Sequence, residues 1–586
     1  MQLLEHFASL TLHPKNAQEL KGLILQLAIQ GNLTANWRKD NPDIEPSSEL
    51  LKRIKKEKAQ LIKEKKVRKG KANSKVSNDD KYLEVPENWE WSRIIEIGNL
   101  FNGNSVNKAI KETKYEGLEK GFPYLGTKDI NYGFEKLNYE NGVKIPYNEP
   151  KFKIAHKDTP LICSEGGSAG KKCGITTNDI CFGNKLYALE LYGKIEPVLI
   201  LSLYQTPIFF DEFQNRMTGI IGGISINSFG DIPVPIPPLQ EQKEIVRVVE
   251  ILFKEVEQLE QLTVERISLK EKYVSSALQQ LTTQNSQKEW QSLQHHFKDF
   301  FTEKSTIKKL RETVLQLAVQ GKLTADWRTK NTDFEHASEL LKRIQKEKAQ
   351  LIKDKKIKKE SPLPAITAAE IPYELPEGWV WCRFGYLITF LNGYAFKSST
   401  YVPTSDYQII RLGNVKDDNF LINTKEAYVP SSVGEVNLDY QIFKDDILTT
   451  LTGTKNRRDY CFTCLVKPEH LEQKVLLLNQ RVGCIRAIDK SASELINKFL
   501  KSDIILNQLF ETETGTANQG NIGSTAFKNL VFPLPPLAEQ KAIIEKVNAL
   551  MGLCDALEQE VEKSKGYSEQ LMQSVLREVF NTNSTN

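Results

Sequence analysis

The segment LKGLILQLAIQGNLTANWRKDNPDIEPSSELLKRIKKEKAQLIKEKK at 20–66 returns at 310–356 as LRETVLQLAVQGKLTADWRTKNTDFEHASELLKRIQKEKAQLIKDKK. The offset is a constant 290, with no gap and 32 of 47 positions identical. This repeat confines the chain to architectures built from two equivalent halves. Solenoid units run to roughly 20–50 residues, so a period of 290 marks a duplicated multi-domain unit instead. A length of 586 residues has room for about four domains of roughly 150 residues.

In the first half, Leu23, Leu27 and Ala28 recur at helical spacing within Leu20–Gln30, and Gly31 is placed to end that helix. Asn41-Pro42-Asp43 marks a turn. Ser47 or Ser48 is placed to cap a second helix, whose Leu50, Leu51, Ile54, Leu61 and Ile62 form one apolar face. Residues 67–84, with Gly70, Asn73, Ser74, Ser77 and Asn78, read as a linker. The stretch VPENWEW at 85–91 then matches LPEGWVW at 375–381, and the alternation of Trp89 and Trp91 predicts two rings on one face of a strand.

From there the halves diverge until IPVPIPPLQEQ at 232–242 meets LVFPLPPLAEQ at 530–540, the offset now being 298. The unlike blocks, about 85–235 and 375–533, alternate short β-rich runs such as 160–164 and 446–450 with Gly and Asn turns. They predict two small mixed α/β domains, each with a twisted sheet. Pro237-Pro238 and Pro535-Pro536 stand just ahead of long helices starting near Gln240 and Ala538. Val249, Leu252, Val256 and Leu259 form an apolar seam in the first, weakening at Thr263, Arg266 and Lys270, where a break is expected. Val547, Leu550, Cys554, Leu557 and Val561 form the seam of the second. An unbroken helix over 240–282 spans about 65 Å. The simplest burial of two such seams is against each other, as an antiparallel coiled-coil-like pair with a pseudo-two-fold axis.

The net charge of +4 hides a strong unevenness. Segment 48–71 carries eleven Lys/Arg against three acids and segment 338–360 nine against four, a combined +13 that leaves the remainder at −9. Two basic arms on a mildly acidic body suit contact with a phosphate backbone, and suit equally a solvated helix running into a linker. The start MQLLEHFASLTLHPKNAQEL lacks a basic stretch followed by an apolar run, so no secretory signal is expected, and no apolar window is long enough to span a membrane. Eight irregularly spaced cysteines fit reduced thiols. Cys461 and Cys464 form a lone C-x-x-C with no second pair, so no metal site is expected.

No catalytic constellation is visible. The chain lacks Asn/Asp-Pro-Pro-aromatic, a strand-linked G-x-G-x-x-G and H-E-x-x-H. Gly166–Lys172 departs from a phosphate-binding loop by having three residues between its glycines and Lys172 in the magnesium-ligating place. Asp445-Asp446 lacks a nuclease context, since neighbours on a strand face opposite sides.

The order of pieces resembles the specificity (S) subunit of type I restriction–modification systems. The residues that carry the resemblance are VLQLAVQGKLTADWR at 314–328, ASELLKRIQKEKAQLI at 337–352, LPEGWVW at 375–381 and PLPPLAEQKAIIEKV at 533–547. Inside the unlike blocks they are FPYLGTKDINYG at 122–133, YQIIRLGNVKDDNF at 407–420, ICSEGGSAGKKCGI at 162–175 and LTTLTGTKNRRDY at 448–460. The resemblance implies a non-catalytic DNA reader, in which two target-recognition domains read the halves of an interrupted asymmetric sequence. It implies assembly with two modification subunits, which bind S-adenosylmethionine and methylate adenine, and two restriction subunits, which use ATP and Mg to translocate and cut. No cofactor is expected on this chain, and the expected location is cytoplasmic.

The domains expected are a shared helical region with a basic arm at 1–84, target-recognition domain 1 at 85–238 and a shared central region at 239–374. Target-recognition domain 2 follows at 375–536 and a shared C-terminal helix at 537–586. The repeated segments themselves are expected to dock equal partners or to brace the long helices.

The best candidates for DNA contact are the glycine-rich loops, where backbone approaches phosphate closely and Lys or Arg neutralises it. In domain 1 these are Ser168, Lys171 and Lys172, with Lys108, Lys128, Asn131, Asn184 and Lys185. In domain 2 they are Thr452, Thr454, Lys455, Arg457 and Arg458, with Lys397, Arg411, Asn414, Asn479 and Arg481. Arg pairs bidentately with guanine and Asn with adenine, which singles out Arg457, Arg458, Asn414 and Asn131 as base readers. The alternative is a helical scaffold or adaptor whose variable domains bind proteins. A self-sufficient restriction–methyltransferase enzyme is disfavoured by length and by the missing motifs.

Overall fold

The structure is a computed structural model describing residues 15–67, 75–219, 222–284, 291–293, 295–516 and 518–581. Residues 1–14 of the N-terminal stretch read for a signal, and the part of the first linker and basic arm at 68–74, lie outside the described residues. Two compact units divide the chain: Met1–Ile267 with Lys565–Asn586, and Ser268–Ser564.

The first unit opens with helix α1, Lys15–Ile29, whose Leu20, Leu23, Ile24 and Ala28 are buried. Gly31 ends it with φ +73, and a Cβ there would lie 2.7 Å from Pro86, so only glycine suits the turn. Helix α2, Ser47–Lys63, buries Ser47, Leu50 and Ile54. Neither serine caps it. Pro46 holds the N-cap position and Ser47 is the first helical residue, turned inward with its amide donating to the Asn88 carbonyl at 3.3 Å.

The first α/β domain follows with strands β1 (Glu90–Arg93), β2 (Gly98–Asn102), β3 (Phe122–Leu125), β4 (Pro160–Cys163), β5 (Cys173–Ile175), β6 (Ile180–Phe182), β7 (Leu186–Leu191) and β8 (Pro233–Ile236). Its first and last strands pair antiparallel, Trp91 facing Pro235, so the domain leaves the frame where it began. Pro233 and Pro235 donate nothing, which a two-stranded ribbon tolerates. The main sheet has the order β2-β7-β4-β5, and β3 runs parallel to β6 beside it. Trp89 does not share the strand with Trp91. It lies in the turn before β1, buried, while Trp91 is half-buried edge-on to Tyr82 at 5.1 Å. Helix α3 then runs from Leu239 to Gln284, 46 residues or about 69 Å. The expected break is absent: Thr263 returns its hydroxyl to the Leu259 carbonyl at 2.8 Å, and Lys270 donates to the Asp299 carbonyl at 2.6 Å.

The second unit repeats the plan with helices α4 (Lys304–Val319) and α5 (Ala337–Lys353). Strands β9 (Val380–Arg383), β10 (Ile388–Asn392), β11 (Tyr407–Ile410), β12 (Ile447–Thr450), β13 (Thr463–Leu465), β14 (Val475–Leu478), β15 (Val482–Ala487) and β16 (Val531–Leu534) follow, and then helix α6, Leu537–Asn581. Again the first and last strands pair antiparallel, the sheet order is β10-β15-β12-β13, and β11 runs parallel to β14. The unlike blocks are therefore one mixed α/β fold used twice.

The long helices pack on each other, as expected, over part of their length, and the repeated segments cover the rest of their seams. Val249 and Val256 of α3 pack on Leu20, Ile24 and Ala28 of α1, and Ile543 and Val547 of α6 lie in one core with Val314, Leu315 and Ala318 of α4. Direct contact between the long helices is seen within the second unit, where Val274, Leu278 and Leu281 of α3 share a cluster with Cys554, Leu557 and Val561 of α6. The repeated segment thus covers the first turns of the helix that its own half supplies.

A buried carboxylate fastens each of these joints. Glu241, in the first turn of α3, accepts from the Thr34 hydroxyl at 2.7 Å, Arg38 Nη2 at 2.7 Å and Trp89 Nε1 at 3.0 Å. Glu539 of α6 accepts from the Thr324 hydroxyl at 2.6 Å, from Arg328, and from Trp379 Nε1 at 2.8 Å. The amides at a helix N-terminus favour a carboxylate there. One side chain in each half so ties the repeat, the tryptophan just ahead of the domain's ribbon and the long helix together.

Candidate nucleic-acid interface

Within each α/β domain, hydrogen bonds gather four chain excursions at one end of the strands. In the first, the Asn104 amide donates to the Phe182 carbonyl at 2.8 Å, Gly183 to Leu125 at 2.9 Å and Ser164 to Lys185 at 2.9 Å. In the second, Tyr394 donates to Leu478 at 2.9 Å, Asn479 to Ile410 at 3.0 Å and Leu451 to Arg481 at 3.1 Å. These six bonds join the ends of β2, β3, β4 and the β6–β7 turn, and their counterparts in the second domain. Most of the sequence candidates lie on the excursions so joined.

In the first domain the loop 164–172 turns at Gly166 and Gly170, with φ +79 and +71. The Ser168 carbonyl accepts the amides of Lys171 and Lys172 at 3.1 and 3.2 Å. Lys172 Nζ lies 5.4 Å from the Tyr132 ring and Lys171 Nζ 5.9 Å from Phe210, so both ammonium groups are steered by aromatic faces. Lys128 is exposed on the turn Thr127–Asp129, and Asn131 donates to the Lys136 carbonyl at 2.6 Å. Asn184 and Lys185 are exposed in the β6–β7 turn, with Lys185 3.4 Å from Glu165. Lys108, 3.7 Å from Glu112, sits on a separate short helix. The loop carrying Tyr132 is seated on α3 through Phe134, edge-on to Phe253 at 5.0 Å.

In the second domain, Thr452-Gly453 pairs with Gly520-Asn521 and thereby joins a hairpin formed by 514–516 and 519–521. Lys455 Nζ donates to the Gly515 carbonyl at 3.2 Å. The Thr454 hydroxyl and amide bond to Asp459 and hold its carboxyl below the usual range, which fixes the loop tip. Arg457 is exposed at that tip. Arg458 is anchored by Asn507 Oδ1 at 2.8 Å and lies over Phe510 at 5.4 Å. Arg481 is exposed in the β14–β15 turn, and Lys397 is exposed ahead of the turn Ser398–Thr400.

Two of the candidate asparagines, Asn414 and Asn479, are buried. Asn414 is buried: its Oδ1 accepts from the Arg411 amide at 2.9 Å, and its Nδ2 donates to the carbonyls of Leu421 and Thr424 at 2.9 and 2.8 Å. Every polar atom of the side chain is used to shape its own loop, which removes it from the base readers. Arg411 beside it donates to the Lys425 carbonyl. Asn479 is buried as well and stands in register with Gly183, so Gln480 is the exposed counterpart of Asn184. Sequence reasoning missed Gln480, Asn104, Tyr132 and Tyr394. The two tyrosines are 54 % and 41 % exposed beside the basic loops, a position that only the folded register discloses.

The basic helices point to a different role from the loops. Lys58 of α2 donates to the Ile95 carbonyl at 2.8 Å, and Lys348 of α5 to the carbonyls of Gly385 and Ile388 at 2.6 and 2.8 Å, so each helix braces its domain. Burial pushes the thiols of Cys461 and Cys464 up to about 12, as expected of packed thiols. Among the described residues no group of three or more His, Cys, Asp or Glu is arranged to hold a metal, and no helix is long and apolar enough to cross a membrane.

A family model described as the type I restriction modification DNA specificity domain matches residues 86–266 and 376–564, once on each half. The chain is 32 % identical over 570 residues to the EcoAI type I restriction enzyme specificity subunit of Escherichia coli, covering 94 % of this chain and 91 % of that one. The EcoEI specificity subunit of Escherichia coli is 28 % identical over 566 residues, with the same coverage of 94 % and 91 %. Among solved structures, the HsdS subunit from Thermoanaerobacter tengcongensis aligns with a TM-score of 0.41 and 15 % identity over 86 % of this chain and 99 % of that one.

Proposed function

Since the chain belongs to the family of type I restriction–modification specificity subunits, we propose that its two α/β domains read the two unlike halves of an interrupted, asymmetric duplex DNA sequence. One observation carries this reading: two domains with the same strand order and ribbon register, held on near-identical frames, expose unlike loops at the same end of the fold. Equal frames present equal faces to equal partners. Unlike loops meet unlike bases, because base edges in the major groove differ in donors and acceptors whereas phosphates do not.

In this reading the chain supplies recognition and geometry rather than bond-making chemistry. Two modification subunits dock on the two halves of the frame and methylate adenine, and two restriction subunits join them to translocate and cut. S-adenosylmethionine, ATP and magnesium belong to those partners, and the assembly works in the cytoplasm. Lys171, Lys172, Lys185 and Arg481 neutralise phosphates at the loops, and sequence is read by other side chains of the same loops, Arg457 and Arg458 among them.

Co-expression with the cognate modification subunit, followed by mapping of methylated adenines with and without this chain, tests the proposal. The expected outcome is methylation at one interrupted, non-palindromic sequence that vanishes when the chain is left out. Methylation at a continuous palindrome would overturn the two-reader account. Binding of the complex to duplex DNA should weaken steeply with salt through counterion release, a dependence that a protein-binding adaptor has no reason to show.

A further inference from the structure

The matched registers allow the loops of the two domains to be compared position by position. Asn104 and Tyr394 hold one and the same place: each follows a glycine, and each amide donates to the last carbonyl of the neighbouring strand, at 2.8 and 2.9 Å. The glycines fix that place. A Cβ at Gly103 would lie 1.9 Å from the Phe182 carbonyl oxygen, and one at Gly393 would lie 2.1 Å from that of Asn479. The backbone is therefore locked in both domains, and only the side chain differs.

Beside this position stands another that does not differ in chemistry. Lys185 and Arg481 are both exposed cations, and the carbonyls of both accept an amide from the neighbouring glycine-rich loop. A phosphate is the same in every sequence, so a residue that meets one has reason to stay basic in both readers. A residue that meets a base has reason to change. Tyr394 is 41 % exposed, yet its ring is held by Phe396 and Tyr440 at centroid distances of 5.0 and 5.2 Å. Asn104 is half-buried and its Oδ1 accepts the Lys153 amide at 2.9 Å, which directs the remaining amide donors elsewhere.

We propose that position 104/394 determines specificity: Asn104 donates to an acceptor on a base edge in the first half-site, and the Tyr394 ring packs on a base of the second. This rests on the reading of the chain as a DNA specificity subunit.

The test is a base-by-base tolerance profile of methylation by the complex assembled with its modification subunits. Tyr394→Ala is expected to lower methylation of the wild-type sequence by about 5- to 150-fold, the worth of one base contact in a specific duplex site. It should relax discrimination at one base of the second half-site and leave the first half-site unchanged. Tyr394→Phe should keep the wild-type profile, whereas Arg481→Gln should weaken all sequences alike and lower the salt slope by about one. If the alanine variant fails to assemble, Tyr394→Asn carries the test, because the first domain holds asparagine at that place. An unchanged second half-site, or equal changes at both half-sites, would overturn the proposal while leaving the two-reader account standing. A wild-type complex without sequence preference would overturn both.

Discussion

Removing the carboxylate of Glu241 or Glu539 strips the charge partner from a guanidinium, which keeps only the Gly31 or Gly321 carbonyl and a threonine hydroxyl, and takes the acceptor from an indole N–H. Both glutamates are fully buried, and Arg38 and Arg328 are mostly so. Breaking such a pair costs about 3–5 kcal/mol, far above the worth of an exposed ion pair. Glu241→Ala is thus expected to destabilise the first unit by about 3 kcal/mol or more, and Trp89→Phe, which removes one donor, by about 1–2 kcal/mol. A double-mutant cycle in urea should show the two effects to be coupled. Acid should act at a second set of residues. Glu370 accepts from Arg383 and from the Thr367 amide and hydroxyl, all at 2.9 Å, and these bonds lower its carboxyl from 4.5 to about 2. The stabilisation is complete above 4.5 and is lost as pH falls toward 2, because the unfolded chain takes up the proton first. Glu370→Gln should lower the Tm by about 1–3 °C at neutral pH, with the gap closing as pH falls below 4.5. The glutamate hub was present in the sequence as the LQEQ and LAEQ motifs, but nothing local marks Glu241 as buried. Its signal was indirect: Thr34, Arg38, Trp89 and Glu241 each recur unchanged at their counterpart positions in the second half.

At the level of elements, the basic helices α2 and α5 have two faces with different work. Leu50 and Ile54 in one, and Leu340 and Ile344 in the other, are buried against their domains, and a Cβ at Gly193 would touch Ile54 at 2.5 Å. Ile54→Ala and Ile344→Ala should each cost about 2–4 kcal/mol, whereas Lys56→Gln and Lys346→Gln should change stability by no more than about 0.5 kcal/mol. Chemical denaturation of the single variants checks both statements. The helical periods of these segments were legible because one face of each is apolar over several turns. The partner that covers each long-helix seam was legible only in part, because periodicity states that a face is buried and leaves open what buries it. For the same reason the polar gap at Thr263 misled: a threonine that returns its hydroxyl to the preceding turn continues a helix without an apolar side chain. The strand predicted through Trp89 begins one residue later, at Glu90: the Trp89 amide closes a turn onto the Pro86 carbonyl at 2.9 Å, and its ring reaches Glu241 instead of the ribbon.

For the whole molecule, the repeat and the interruption of the repeat carry different information. The frame was readable at once from identity, while the likeness of the two inserts was hidden. What the inserts share is strand pairing, which short apolar runs of many sequences satisfy, and what they vary is loop chemistry. Asn131 and Asn414 show how far residue type alone reaches: both are asparagines on the loop after the same strand, yet Asn414 is spent on three loop hydrogen bonds and Asn131 on one. The shared ribbon also makes a strong prediction. Because β1 pairs with β8 as β9 pairs with β16, residue for residue, the segment between β1 and β8 should fit between β9 and β16 without disturbing either frame. A chain carrying the first insert in both places should still assemble with its modification subunits. It should methylate an interrupted sequence whose two half-sites are identical in base content, each being the first half-site of the wild-type target. Mapping methylated adenines in cells expressing that chain decides the matter. Retention of the wild-type second half-site would show that specificity resides in the frame, and an unfolded chain would show that the two ribbons, though alike in register, are not interchangeable joints.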